Sequence, residues 1–371
     1  MLVFIFLFSF FKVSGQTYTV STFAGSSTGA SGFQNGVGLN AQFNRPNGMA
    51  TDLSGNLIVA DNANHSIRRI SPSGTVSTIA GNGIVGSVNG PGITATFNNP
   101  TDVAVDRNGN IYVADAENHK IRKITPTGLT TTLAGSGFSG YRDGTPDSAQ
   151  FNDPISITCD NDLNVYVLEA SRIRKITPNG VVSTLAGSGV AGDSDGIGVN
   201  ASFRFGRSLK FVNNSGYFIL ITNGDRKIRR VTLEGEVNTI NNFSAGFQDG
   251  PISNAFIGGF IAQAITQNGN FVFIDGLNNR VRRISSDNFV STLAGNGTVG
   301  NTDGNGSIAT FNQPSGIAVS STGLIYISDA GNNNIRLLTP SCLTPPTPTL
   351  SAGSALTFCQ GGSVILFTNN P

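Results

Sequence analysis

The sequence predicts an all-β protein: a six-bladed β-propeller of four-stranded antiparallel blades, closed by its own first strand. Three observations carry this. A landmark phenylalanine, read in an Ala-x-Phe triplet, falls at Phe43, Phe97, Phe151, Phe203, Phe256 and Phe311, at intervals of 54, 54, 52, 53 and 55 residues. Self-similarity at a fixed period of this size means a repeat architecture. Each unit holds four short runs rich in Val, Ile, Leu and Thr and bounded by Gly, Pro and Asn. Such runs read as strands, and four antiparallel strands per unit make one blade. The third observation is the phase of the repeat. Outer-strand runs start near Val20, Val76, Thr130, Val182, Val237 and Val290; inner-strand runs lie near Met49, Val103, Ile157, Leu209, Ala264 and Ile317. The chain opens with an outer run and its last unit lacks one, so residues 19–24 are expected to complete the last blade and hide its edge.

The repeats span about residues 19–74, 75–128, 129–180, 181–235, 236–288 and 289–342. In the second copy the strands fall at residues 76–80, 103–106, 111–114 and 121–125, with tight turns at 107–110 and 126–128. The first two copies are the most regular. The third shortens one loop to Glu169-Ala170-Ser171-Arg172. The fourth has Arg204-Phe205-Gly206-Arg207 where others read Asn-x-Pro, and the fifth loses a Gly-x-Gly turn at residues 241–244.

The pieces Asn99-Pro100-Thr101-Asp102 before VAVD, then GNIYVAD, then NHKIRKI resemble the NHL repeat. The resemblance extends over all six copies. It implies the propeller but does not choose an activity, because NHL propellers serve enzymes, RNA binders and adhesive proteins alike.

The flanks read differently. Residues 2–11 are an apolar run too short to span a bilayer as a helix, followed by the small residues Val13-Ser14-Gly15. Residues 1–15 therefore look like a signal peptide, although the basic leading segment is missing. Residues 343–355 form a stiff Pro/Thr linker. Residues 356–371 resemble the opening of the Ig-like or PKD-like modules of exported Bacteroidetes-type bacterial proteins. The expectation is a secreted or cell-surface protein of which this is the N-terminal part, without a transmembrane segment. Of the three cysteines, Cys159 reads as a small core hydrophobe, while Cys342 and Cys359 leave their pairing open.

Composition narrows function. There are 23 Lys and Arg against 22 Asp and Glu, a net charge of +1. That balance gives no argument for nucleic acid, whose phosphates need a basic patch. Gly81-Asn82-Gly83-Ile84-Val85-Gly86 matches a dinucleotide fingerprint, but no helix pattern follows to hold a pyrophosphate, and the spacing recurs at Gly135, Gly187 and Gly295. These are crossover turns. Asn35, Asn89, Asp143, Asp195, Asp249 and Asp303 each precede a glycine in a crossover. Such pairs suit turns; calcium is the one cofactor such loops would take, but no D-x-D-x-D-G loop is present.

Arg68, Arg122, Arg174, Arg229, Arg282 and Arg336 occupy one position in every copy, preceded at the start of the same loop by Asp61, Asp115, Glu169, Thr222, Asp275 and Asp329. Five copies thus offer an acid–Arg pair expected to clamp a loop. Thr222 leaves Arg229 without that acid.

Strand parity puts the long crossovers, the acid–Arg loops, His65 and His119 on one face of the disc. Loops on a rigid scaffold are where binding concentrates. The binding candidates are His65 and His119, with Arg204, Arg207, Asn223, Asp225, Arg226 and Arg229, which together with Lys210 and Lys227 make the fourth copy locally basic. Three function classes compete. The first is a non-enzymatic extracellular binding or adhesion scaffold, a monomeric propeller with a protein partner, or a glycan. Trp is absent and Tyr numbers 6, which disfavours aromatic glycan platforms. The second, implied by the resemblance, is an enzyme: related propellers include amidating lyases with a three-histidine metal site and calcium lactonases. Two histidines cannot supply that triplet, so a calcium site in the central channel is the form left to it. RNA binding is the third and fits the charge least.

Overall fold

The computed structural model describes residues 17–212 and 215–341. The expected signal peptide, linker and second β-module, with Cys342 and Cys359, lie outside the described residues.

Six antiparallel sheets form six blades. The second blade is typical: inner strand Pro100–Val105, second strand Ile111–Asp115, third strand Lys120–Ile124 and outer strand Leu129–Ala134. The second strand is buried along its whole length, because neighbouring blades cover both its faces, and it accordingly reads as an almost unbroken apolar run. The outer strand Thr75–Ala80 of the first blade starts as exposed–buried–exposed, the pattern of a half-solvated edge.

The ring closes as expected. Tyr18–Gly25 is the outer strand of the last blade and pairs with Asn334–Pro340, with Val20 opposite Leu338. Adjacent blades are glued by apolar side chains. Phe97 sits between Ile58, Ala60 and Ile67 of the first blade and Val103 and Val113 of the second. Truncating a buried phenylalanine of this kind costs about 3–5 kcal/mol.

Two features differ from the sequence-based expectation. The fifth landmark is not Phe256, which is 39% exposed, but Ile257, which is fully buried. In this copy the alanine and phenylalanine are adjacent, so the next residue enters the core. The same slip moves the inner strand: Gln263, not Ala264, faces Phe273 as Met49 faces Val59 in the first blade.

The blades also carry a short fifth strand. Gly90–Pro91, in the crossover, pairs with the outer strand Leu129–Ala134. Equivalent pieces occur at Gly36–Val37, Gly196–Ile197, Gly250–Pro251 and Gly304–Asn305, and as a single bridge from Gly144 to Val182 in the third blade. They cover part of an otherwise open sheet edge. The glycine after each Asn or Asp is needed here: Gly90, Gly196 and Gly250 have φ of 152°, 154° and 148°.

Candidate functional site

The six recurrent arginines are fully buried. In five of the six blades the arginine works as a double-ended clamp. Arg122 Nη1 donates to Asp115 Oδ2 at 2.8 Å and to the Thr96 carbonyl, while Nη2 donates to Asn89 Oδ1 at 2.8 Å and to the Val88 carbonyl. The acid ends of the other clamps are Arg68–Asp61 at 2.7 Å, Arg174–Glu169 at 3.3 Å, Arg282–Asp275 at 2.9 Å and Arg336–Asp329 at 2.9 Å. The acid's second oxygen holds the backbone after the landmark residue, as Asp115 Oδ1 accepts from Asn98 N–H at 2.8 Å. The landmark phenylalanine lies against the guanidinium: Arg122 is 5.2 Å from the Phe97 centroid. In the fifth blade, where Ile257 has replaced it, Arg282 finds Phe247 at 5.1 Å instead.

The crossover Asn and Asp residues are the far ends of these clamps. Asp143, Asp195, Asp249 and Asp303 each pair with the local arginine, at 2.5–2.8 Å. Their side-chain oxygens therefore serve a guanidinium. Among the described residues, no three His, Cys, Asp or Glu side chains converge into a metal-holding group. Burial pushes Asp61 and Asp329 up to about 6 and Glu169 to about 7, against the pull of their arginines and backbone donors.

His65 and His119 end short 3₁₀ turns in the left-handed region, with φ of 47° and 51°, where the fifth and sixth blades have Asn279 and Asn333. This position reaches the next blade. His65 Nδ1 accepts Asn99 N–H at 3.1 Å, and Asn333 Oδ1 accepts Arg45 N–H at 2.8 Å. His119 Nδ1 stands 3.4 Å from Asp153, and Arg226 Nε donates to the Gly258 carbonyl at 3.1 Å. Burial lowers the His65 pKa, as suits an imidazole used as an acceptor. His65 and Arg226 are thus inter-blade staples, whereas His119 Nδ1 stands beside Asp153 without a hydrogen bond.

The fourth blade differs from its sequence reading. Arg229 is fully buried, so it does not face a partner; its strand-end acid is absent as expected, while Nη2 pairs with the crossover Asp195 at 2.6 Å and Nη1 donates to the Ser202 carbonyl at 2.6 Å. Only the strand-end acid is missing, and polarity is exchanged there. In four other blades an asparagine donates to the acid three residues before it, as Asn118 does to Asp115. Here the Thr222 hydroxyl donates to Asp225. Lys227 is tied to Asp193 at 3.3 Å, and Asn223 packs beside Gly259 at the join to the fifth blade. Of the basic cluster, Arg204 and Arg207 stay exposed and make no side-chain hydrogen bond or ion pair with the described residues, and Phe205 between them is 59% exposed.

The inner strands enclose a central channel. On the long-loop side a cavity of about 230 Å³ is edged by Asn47, Thr101, Arg207 and Ser315. A larger one, about 390 Å³, opens on the short-turn face beside Asp106, Arg107, Asp160 and Asn161. Concavity is therefore not confined to the long-loop face. Cys159 packs against the core between the second and third blades and also lines the larger cavity; its thiol donates to the Val105 carbonyl at 3.4 Å and burial pushes its pKa up to about 12.

Between the cavities stand three polar residues that sequence reasoning missed as a group. Asp102 Oδ2 accepts from Ser156 Oγ at 2.8 Å and Ile157 N–H at 3.0 Å, and lies 3.6 Å from Lys210 Nζ. Gly48 leaves the room: a Cβ there would fall 2.1 Å from Asp102 Oδ1. Gln263 is fully buried, and its Nε2 donates to the Ser208 and Ile219 carbonyls. The available signal was positional. The residues equivalent to Asp102 are Gly48, Ser156, Ser208, Ala262 and Gly316; to Lys210, mostly alanines; to Gln263, Met49, Val103, Ile157, Leu209 and Ile317.

With this geometry established, comparison places the chain among known proteins. The NHL repeat profile matches residues 43–70, 97–124 and 311–336. The chain is 28% identical over 280 residues to protein SUPPRESSOR OF QUENCHING 1, chloroplastic, of Arabidopsis thaliana, covering 70% of this chain and 26% of that one. It is 27% identical over 336 residues to NHL repeat-containing protein 2 of Gallus gallus, covering 79% and 46%. The chain thus spans between a quarter and a half of these relatives. Among solved structures, an auxiliary nutrient binding protein from Bacteroides thetaiotaomicron superposes with a TM-score of 0.66 at 15% identity, covering 87% of this chain and 76% of that one. A virginiamycin B lyase from Staphylococcus aureus superposes at 0.54 with 16% identity, covering 82% and 98%. At such identities the likeness is one of fold.

Proposed function

We propose that this NHL-repeat six-bladed propeller is a non-enzymatic binding scaffold of the cell surface or extracellular space, recognising an acidic protein segment through its long-loop face. One observation carries the reading: Arg204 and Arg207 flank the exposed Phe205, Arg207 lines the long-loop cavity, and neither guanidinium is spent on the fold. Every recurrent arginine, by contrast, is buried in a clamp. Exposed arginine beside an exposed aromatic is the composition of an interface anchor. The fold likeness to an auxiliary nutrient binding protein, and the apolar leader over residues 2–11, support a binding role outside the cell. No glycan platform or metal is required by this reading.

The test uses immobilised poly-L-glutamate as the acidic probe. The wild-type chain is retained at low ionic strength and released as salt rises. Arg204→Ala with Arg207→Ala abolishes retention while leaving the melting temperature unchanged. Equal retention of the double variant, or no retention of the wild type, overturns the proposal.

A further inference from the structure

At the three channel positions described above the copies carry small or apolar residues, with hydroxyls at Ser156, Ser208 and Thr158, and one copy at each position departs with a charged or amide side chain. The exceptions come from three different blades: Asp102 from the second, Lys210 from the fourth and Gln263 from the fifth. All three line the same cavity on the long-loop side, and two form an ion pair.

Their bonding is incomplete. Gln263 Oε1 is buried and has no partner. Leaving such an acceptor unmet costs about 1–3 kcal/mol, which the apolar residues of the other five blades avoid. The Asp102–Lys210 separation of 3.6 Å is longer than a direct hydrogen bond, so the ammonium keeps donors to spare. The waist thus presents an unmet neutral acceptor, an anionic acceptor and a cationic donor, with no net charge. Met49 and Ile317 line both cavities beside these groups.

We propose that the channel waist is a binding site for a small zwitterion of α-amino-acid size. The ligand carboxylate accepts from Lys210 Nζ. The ligand ammonium donates to Gln263 Oε1 and Asp102, so that charges alternate along the line of contacts. An apolar side chain rests on Met49 and Ile317. The cavity volumes of about 230 and 390 Å³ suit a ligand of few heavy atoms, since sites for drug-sized molecules run to about 300–1,000 Å³. A singly charged anion or cation would leave one member of the pair uncompensated, which disfavours both. This site is separate from the Arg204–Arg207 patch, and either can fail alone.

The experiment is a thermal-shift and calorimetric titration of the full chain with each of the twenty L-α-amino acids, every one beside its N-acetyl amide, which keeps the side chain but carries neither terminal charge. Simple mono- and disaccharides form a third arm. Variants return each exception to the pattern of its sister blades: Asp102→Ser, Lys210→Ala and Gln263→Ile. Because other blades already carry these or similar residues, the variants are expected to fold. At least one free amino acid should raise the melting temperature of the wild type, its N-acetyl amide should not, and each reversion should reduce its affinity at least tenfold. The proposal is overturned if no free amino acid binds, if the amides bind equally well, if only the saccharides bind, or if the reverted proteins bind as the wild type does.

Discussion

The arginine clamps and the channel waist are built from the same six repeats, but one region repeats its chemistry and the other does not. At the clamps a guanidinium, a landmark side chain and a crossover Asn or Asp recur around the ring, with Nη1 and Nη2 bonded inside the fold while Nε of Arg68, Arg122, Arg229 and Arg336 is buried without a partner. At the waist, polar chemistry comes from one residue each in three blades, and an acceptor is left unmet. Repetition marks what every blade needs in order to form. Singularity marks what the assembled ring can use once, because six blades share one channel.

If this distinction is sound, the largest effect should come from breaking a clamp. Arg122→Met should strand the buried Asp115 and unhook the crossover at Asn89, destabilising the propeller by about 3–5 kcal/mol in a denaturant titration. A loss under about 1 kcal/mol would mean that the clamps do not hold the blades.

The fourth blade sharpens the same contrast. Thr222→Asp with Asp225→Asn restores the pattern of the second blade, giving Arg229 its strand-end acid and letting residue 225 donate. The gain should be about 1 kcal/mol, the net worth of a typical intramolecular hydrogen bond. A lower melting temperature would show that the exchanged polarity is required where it stands.

A smaller effect concerns pH. Asp61 and Asp329, raised to about 6, and Glu169, raised to about 7, hold protons in the folded chain that the unfolded chain releases. Their linkage adds stability as pH falls from above 7 to about 4.5, and removes it as pH rises through the folded values. His65, whose pKa burial lowers, works in the opposite direction over the upper part of that window. The acids outnumber it, so the melting temperature should be higher at pH 5 than at pH 7.5. A clear fall on acidification would show that the clamps' carboxylates are stabilised as anions more than their burial implies.

Much of this was legible in the sequence because it repeats. The 54-residue period, the strand runs and the opening outer strand near Val20 led to a closed six-bladed ring, and the acid–Arg spacing led to Asp115 beside Arg122. What stayed hidden was tertiary. Nothing local says that Asn89 is the far end of a clamp 33 residues away, or that it lays Gly90 against an outer strand. The slip at Ile257 depends on which apolar residue the inter-blade core accepts, and until that register is known Gln263 cannot be aligned with Met49. Arg229 looked like surface charge because charge in a sequence carries no burial. Asp102 looked ordinary because it stands in a repeat motif; it becomes unusual only beside Gly48 and Gly316.

The most direct measurement is calorimetric melting of the triple variant Asp102→Ser, Lys210→Ala, Gln263→Ile beside Arg122→Met. If repetition builds and singularity serves, the triple variant melts at or above the wild-type temperature, since it exchanges a partly buried ion pair and an unmet acceptor for residues the other blades already carry. Arg122→Met melts far below. A triple variant that melts as low as Arg122→Met would contradict the account, because the waist would then be part of what holds the propeller together.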